Sequence, residues 1–327
     1  MPESPRTIHV IVNPAAGRGA ARGVRREVER ALARRGVDFT IAETTGPGEA
    51  IELARVAARG GASVIAAVGG DGTVHEVVNG LLAESSAAPT AALGVVPVGT
   101  GNDFVKLVAG LRTRDGAYDV LAHGIARPMD TGLASWAGGE EYFVNAMGTG
   151  IDVEVVRQIQ RMRNLPGAAV YVLGLAKALV RFRPIAVRVT VDGDSAESRV
   201  MMVAVANGIC IGGAFRVSPG ALPDDGLFDV VQVAELGLFD SLRVAPRILR
   251  GTHLGLAAVR HRTAKTVELE VPADATLFFQ LDGELREPGV RRVRVDVRPA
   301  SLRVLAAPHV ATAARARLTG NPMGEVM

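Results

Sequence analysis

Residues 62–80 read ASVIAAVGGDGTVHEVVNG. Ser63 to Val68 is a short run of β-branched and small apolar residues, the length of one buried strand of a parallel sheet. It stops at Gly69-Gly70-Asp71-Gly72-Thr73, and from Val74 apolar residues recur at Val77, Val78, Leu81 and Leu82, which is helical spacing. The unit is strand, glycine turn, helix. Residues without a Cβ let a ligand approach the backbone closely. The following helix turns its free N–H groups and positive dipole end toward the same place. An anion such as a phosphate chain suits it. Asp71 is the odd member, because a bare carboxylate repels phosphate; it makes sense with a divalent cation between them, or as a group that handles a proton.

The stretches on either side repeat the pattern. Ile8 to Val12 reads as a strand, followed by Asn13-Pro14-Ala15-Ala16-Gly17-Arg18-Gly19 and a helix over about 20–35. Val37 to Ala42 is a second strand; Thr44-Thr45-Gly46-Pro47-Gly48 turns into a helix from Glu49 to about Arg59. After the central unit, Leu93 to Val96 ends at Pro97 and opens Val98-Gly99-Thr100-Gly101-Asn102-Asp103-Phe104. Strands alternating with helices of this length mean βαβ units and a parallel sheet. In such sheets ligands collect outside the carboxyl ends of the strands, so the four turns are expected to converge on one crevice.

From about Met129 the texture changes. Tyr142–Ala146, Ala186–Val191, Val200–Ala206, Leu227–Val233, Thr266–Val271, Thr276–Leu281 and Val293–Val297 are short strands in close succession, several joined by turns such as Asp192-Gly193 and Asp282-Gly283. This is the pattern of an antiparallel, sandwich-like second domain. Helical inserts interrupt it at about 151–163, 167–180 and 238–249. The expected organisation is an α/β domain over 1–130 and a β-sandwich domain over 131–307, whose last segment can pack back on the first. A tail over 308–327, small, polar and punctuated by Pro and Gly, is expected to be mobile.

Composition narrows the function classes. The 327 residues suit about two domains, and 48% hydrophobic content supplies a substantial core. A formal net charge of +3, with basic residues dispersed, does not imply nucleic acid. Cys210 is alone, so no intramolecular disulfide or thiolate cluster forms. The N-terminus lacks a signal-peptide layout. The most apolar later window, Ala168 to Val180, is interrupted by Lys177 and shorter than the roughly 20 residues that cross a bilayer. A cytoplasmic protein without a transmembrane segment is expected.

Taken singly, the motifs are ambiguous. Gly17 and Gly19 begin a dinucleotide fingerprint, but Arg22 replaces its third glycine. No G-x-x-x-x-G-K-[ST] occurs, which excludes a P-loop ATPase. Gly99 to Asp103 offers close approach, a hydroxyl from Thr100 and a second carboxylate from Asp103, although Asn102-Asp103 could equally cap the next helix. Asp282-Gly283-Glu284 alone would be a hairpin turn.

Together they are specific. Asn13-Pro14 with Gly17, Gly69 to Thr73, Glu76 to Gly80, and Gly99 to Phe104 resemble the catalytic domain of the diacylglycerol kinase superfamily, and most of all its soluble bacterial YegS-like and DgkB-like lipid kinases. Met129 to Gly132, Phe143-Val144-Asn145 with Gly148, Gly150 and Asp152, Asp224 to Asp229, and Asp282 to Glu284 continue the likeness in order. The resemblance implies ATP bound between an α/β domain and a β-sandwich, with Asn13, Pro14, Ala15, Ala16, Gly17, Thr44, Gly69, Gly70, Asp71, Gly72, Thr73 and Thr100 contacting the nucleotide. Asp71, Asp103 and Asp130 would form a carboxylate, Mg²⁺ and water network at the γ-phosphate, and Glu284 would accept the proton of the acceptor hydroxyl. A structural Mg²⁺ would be held by the Asp225 side chain and the carbonyls of Leu222 and Leu227. His75 stands where relatives commonly have Asn, and is expected to be a neutral, exposed helix residue.

The implied activity is ATP- and Mg²⁺-dependent phosphorylation of a lipid hydroxyl, foremost diacylglycerol to phosphatidic acid. An NAD kinase and a non-catalytic nucleotide- or lipid-binding module are the alternatives. The lipid would be met at the inner membrane surface. Ala168 to Val180, between Arg161, Arg163, Arg181 and Arg183, would either rest on anionic lipid or form a packed core helix. Exposed edge strands leave room for a homodimer.

Overall fold

The computed structural model describes residues 6–19, 23–83, 91–99, 101–108, 111, 113–161 and 169–308. Thr100 and the tail from 309 onward lie outside the described residues. The chain divides into two units. The first comprises Met1–Thr131, Leu222–Asp225 and Pro299–Met327, the second Gly132–Ala221 and Gly226–Arg298.

Along the chain the first unit begins with β1 (Thr7–Val12), α1 (Val24–Arg34), β2 (Asp38–Glu43), α2 (Glu49–Arg59), β3 (Val64–Gly69), α3 (Asp71–Leu82), β4 (Ala92–Pro97) and α4 (Arg114–His123), and enters β5 (Ile125–Trp136). The first four strands are parallel in the order β4-β3-β1-β2. β3 and β4 are buried along their whole length, which is why both read as unbroken apolar runs. Glycines set the ends of α2: Gly48, at φ 81°, precedes it and Gly60 follows. The carboxylate of Glu76 on α3 then takes the N–H groups of Gly48 and Ala50 at 3.0 and 3.2 Å, capping α2 from a neighbouring helix.

α3 packs closely on α2. A Cβ on Gly80 would stand 2.2 Å from the Ile51 carbonyl oxygen. α3 is buried nearly all round, which overturns one expectation: His75 is buried, at 3% exposure, beside Asn79, and is not an exposed helix residue.

The second unit contains β6 (Gly139–Phe143), β7 (Ala146–Gly150), α5 (Ile151–Arg161), α6 (Ala169–Arg181), β8 (Ile185–Val191), β9 (Asp194–Ala206), β10 (Phe228–Ala234), α7 (Leu238–Arg250), β11 (Val259–Ala264), β12 (Thr266–Glu270), β13 (Leu277–Leu281), β14 (Glu284–Val290) and the start of β15 (Arg292–Ala306). Further along β15, within the first unit, Val304 pairs parallel with Leu93 of β4. β9 pairs β8 along its first half, and both β7 and β10 along its second, all antiparallel. Its second half is buried on both faces. Val203 and Val205 join Phe143, Phe228 and Phe279 in one core, while Met202, Ala204 and Ala206 join Ile151, Val155 and Val231 in another. Alternation by two thus divides one apolar run between two cores. The single strand expected over Tyr142–Ala146 is in fact two, β6 and β7, broken at Val144-Asn145.

Candidate functional site

In the first unit the parallel register sets Val12 level with Glu43 and Val68, and Gly69 level with Pro97, so the four strands end together. Backbone bonds extend the ladder one step beyond, from Thr44 N–H to Val12, Asn13 N–H to Val68 and Val98 N–H to Gly69, at 2.8–3.0 Å. Side chains then join the turns. Asn13 donates through Nδ2 to Thr73 Oγ1 at 3.0 Å, while its Oδ1 accepts from Ala15 N–H at 3.0 Å. Asp71 Oδ1 accepts from Phe104 N–H at 3.1 Å, tying the turn after β3 to the turn after β4.

The glycines of these two turns are needed for backbone packing. A Cβ on Gly99 would sit 2.9 Å from the Gly70 Cα, and one on Gly69 would sit 2.3 Å from Thr73 Oγ1. Such distances are closer than a Cβ tolerates, so a larger residue at Gly99 would push the two turns apart and one at Gly69 would displace the buried Thr73 side chain. Asn102, left-handed at φ 47°, returns its amide to the Gly99 carbonyl at 2.9 Å.

The other two acids of the expected network are engaged differently. Asp103 is buried, makes no helix-cap bond, and pairs with Lys106 at 2.7 Å. Asp130 is also buried; its Oδ1 accepts from Ala300 N–H and its own N–H donates to the Pro223 carbonyl, both at 2.7 Å. It therefore fixes a left-handed turn at Ala300 (φ 50°) against the loop at 222–225. Among the described residues no three His, Cys, Asp or Glu side chains are grouped so as to hold a metal ion by themselves. The available donors are carboxylates and carbonyls, which suit a hard cation completed by phosphate oxygens and water. Gly69 to Thr73, Asn13 to Gly17 and Thr44, whose side chain is buried, all follow strand ends. Leu222, Asp225 and Leu227 lie in the loop before β10.

In the second unit Glu284 opens β14, exposed, immediately after a two-residue turn. Asp282 (φ 51°) and Gly283 (φ 90°) are both left-handed, as a tight hairpin of the favoured twist requires. The turn is pinned from two sides. The Asp282 carboxylate accepts from the N–H groups of Val144, Asn145 and Ala146 at 2.8–3.1 Å, which is what breaks β6 from β7. Gln280 accepts from Gly283 N–H through Oε1 and donates through Nε2 to Asp152 Oδ2 at 2.8 Å. Gly148 makes room for that last bond, since a Cβ there would stand 1.9 Å from Asp152 Oδ2.

Desolvation pushes the Asp152 carboxyl up from 3.8 to about 6, against the opposing hydrogen bond from Gln280. The folded chain therefore holds this proton more tightly than the unfolded chain. The stability it contributes is complete below about pH 4 and is lost as pH rises through about 6. Asp152→Asn is expected to abolish that decline and to raise the melting temperature above about pH 6, as a series of calorimetric melts across pH would show.

Asp152 also lines a pocket that sequence reasoning missed. It lies between the outer face of β9 and β10 and the helices α5, α6 and α7, with walls including Val155, Leu179, Met202, Val233 and Ile248. Its volume is about 640 Å³ counting the open mouth, and Asp152 and Ser241 are the polar side chains in an otherwise apolar lining. Its walls come from separate elements, so no local motif announces it.

A parallel α/β unit with converging glycine turns, together with a β-sandwich unit, is the fold of a class of kinases. The diacylglycerol kinase catalytic domain matches residues 7–134, and the YegS C-terminal NAD kinase beta sandwich-like domain matches residues 145–306. The diacylglycerol kinase of Bacillus subtilis (strain 168) is 32% identical over 84% of this chain and 88% of its own. A protein of Xanthomonas euvesicatoria pv. vesicatoria (strain 85-10) named "Probable lipid kinase YegS-like" is 31% identical over 85% and 90%. Among solved structures, a diacylglycerol kinase from Bacillus anthracis str. Sterne shares the fold with a TM-score of 0.70 and 21% identity, over 95% of this chain and all of that one. The chain belongs to the diacylglycerol kinase family and is a kinase.

Proposed function

We propose that this kinase transfers the γ-phosphate of ATP to a lipid hydroxyl, with diacylglycerol as acceptor and phosphatidic acid as product. The observation that carries the lipid acceptor is the apolar pocket of the second unit, whose wall residue Asp152 is joined through Gln280 to the turn bearing Glu284. An acyl chain suits such walls; the charged, polar body of NAD does not. Relatives named diacylglycerol kinase and probable lipid kinase, and the Asp282-Gly283-Glu284 turn, support the same choice.

In this reading the turns after β1 to β4, through Asn13 to Gly17, Thr44, Gly69 to Thr73 and Thr100, hold the nucleotide by backbone N–H groups and small side chains. Mg²⁺ supplies charge neutralisation between the acids and the phosphates. Asp71, Asp103 and Asp130 would hold that ion, and Asp225 with the carbonyls of Leu222 and Leu227 would hold a second, structural one. Glu284 accepts the hydroxyl proton as the new P–O bond forms and the bond to ADP breaks. No helix among the described residues is long and apolar enough to cross a membrane. In this reading the lipid is taken from a membrane surface, on the side where ATP is available. The reading is tested by incubating purified protein with ATP, Mg²⁺ and separate candidate acceptors: diacylglycerol, monoacylglycerol, phosphatidylglycerol, a sphingoid base, an undecaprenol-like alcohol and NAD. Phosphorylated diacylglycerol supports it, and NADP as the sole product overturns it.

A further inference from the structure

Seven large apolar side chains stand exposed among the described residues, and five belong to two helices of the second unit. These are Leu173 and Val180 of α6 and Leu238, Phe239 and Leu242 of α7, with Phe239 at 80% and Val180 at 73% exposure. The same helices turn other residues inward. Leu175 and Leu179 of α6, and Ser241, Val244 and Ile248 of α7, line the apolar pocket. Both helices therefore carry apolar surface on two sides, one toward the pocket and one toward solvent. A helix serving only as a pocket wall would keep its solvent side polar.

The charge on the two helices is one-sided. Lys177 and Arg181 of α6 and Arg243, Arg247 and Arg250 of α7 face a single acid, Asp240, which reaches Arg243 at 3.2 Å. Exposed Phe and Leu beside arginines are what an anionic lipid surface accommodates: the apolar side chains enter the acyl boundary while the cations meet headgroup phosphates. A second copy of the chain fits less well, because a two-fold interface would bring the cationic helices against themselves.

We infer that α6 and α7 form the docking face for an anionic membrane, and that an acceptor lipid reaches the pocket behind these helices from that membrane. The inference deepens the lipid-acceptor reading and assigns the contact to α7 as well as to the helix that the sequence singled out. Its test is co-sedimentation, without ATP, with vesicles of phosphatidylcholine alone or mixed with phosphatidylglycerol, so that a failure of the kinase reading leaves it intact. Wild-type protein is expected to pellet with the anionic vesicles and to be released by salt. Phe239→Ser with Leu242→Ser should weaken partitioning by about tenfold for each side chain. Arg243→Gln and Arg247→Gln should each weaken it about fivefold at low ionic strength. Because these side chains are exposed, the melting temperature should hold, as should activity toward a water-soluble short-chain diacylglycerol. Two outcomes overturn the inference: variants that bind anionic vesicles as tightly as wild type, or a dimer that the apolar substitutions split while vesicle binding persists.

Discussion

Glu284→Gln is expected to lower turnover in phosphoryl transfer by about 10²–10⁴-fold, the range that a positioned general base supplies. Nucleotide affinity and melting temperature should be unchanged. The selectivity follows from how the turn is held. Its anchors are the Asp282 carboxylate on three backbone N–H groups and the Gln280 amide between Gly283 and Asp152. None of these bonds uses the Glu284 side chain, so an amide of the same shape leaves the hairpin intact and removes only the proposed proton acceptor. Loss of the anchor is a different experiment. Asp282→Ala should unpin the junction of β6 and β7 and lower stability together with activity, so the pair of variants separates chemistry from scaffold. Steady-state kinetics of both, beside their thermal melts, would decide. A Glu284→Gln enzyme of wild-type turnover would remove Glu284 from the chemistry.

Asp71→Asn should lower turnover by about 10³-fold, because losing the carboxylate forfeits several kcal/mol of metal-assisted charge stabilisation. Asp71 begins α3, directly after the glycine turn, where the helix end favours an anion. Asparagine can still accept the hydrogen bond from Phe104 N–H through its own Oδ1, so the two turns stay joined. The defect should therefore appear in the dependence of rate on Mg²⁺ concentration, with the half-saturating concentration raised and the fold unaltered. Titration of activity against Mg²⁺ for both proteins reads it directly. An unchanged Mg²⁺ dependence would show that Asp71 serves the turn and not the ion.

The first unit was largely legible because its signals are local. Glycines mark the ends of α2, and β3 and β4 announce themselves as unbroken apolar runs. Its least legible point is the start of α3. The first apolar residue of the helix is Val74, yet the helix begins at Asp71, because the glycine turn is itself the first helical turn. His75 departs from expectation for a tertiary reason: α3 is buried on nearly every side, including the face at His75 that apolar spacing alone leaves open. In the second unit the break between β6 and β7 is imposed by a carboxylate 137 residues away from Asn145. β14 escaped notice because ELREPGV carries a proline and no alternation, which marks an edge strand. The glycine turns at the strand ends could be read from sequence. Its apolar pocket could not, because each wall contributes one or two residues whose meeting depends on the fold.

The most direct measurement is the mass of the lipid recovered after purified protein acts on diacylglycerol vesicles with ATP labelled in its γ-phosphate and Mg²⁺. Labelled phosphatidic acid should accumulate in wild-type reactions and fall to background with Glu284→Gln and Asp71→Asn. Unaltered diacylglycerol from a folded, nucleotide-binding wild-type protein, with the label passing to NAD or to water, would contradict a lipid hydroxyl as the acceptor.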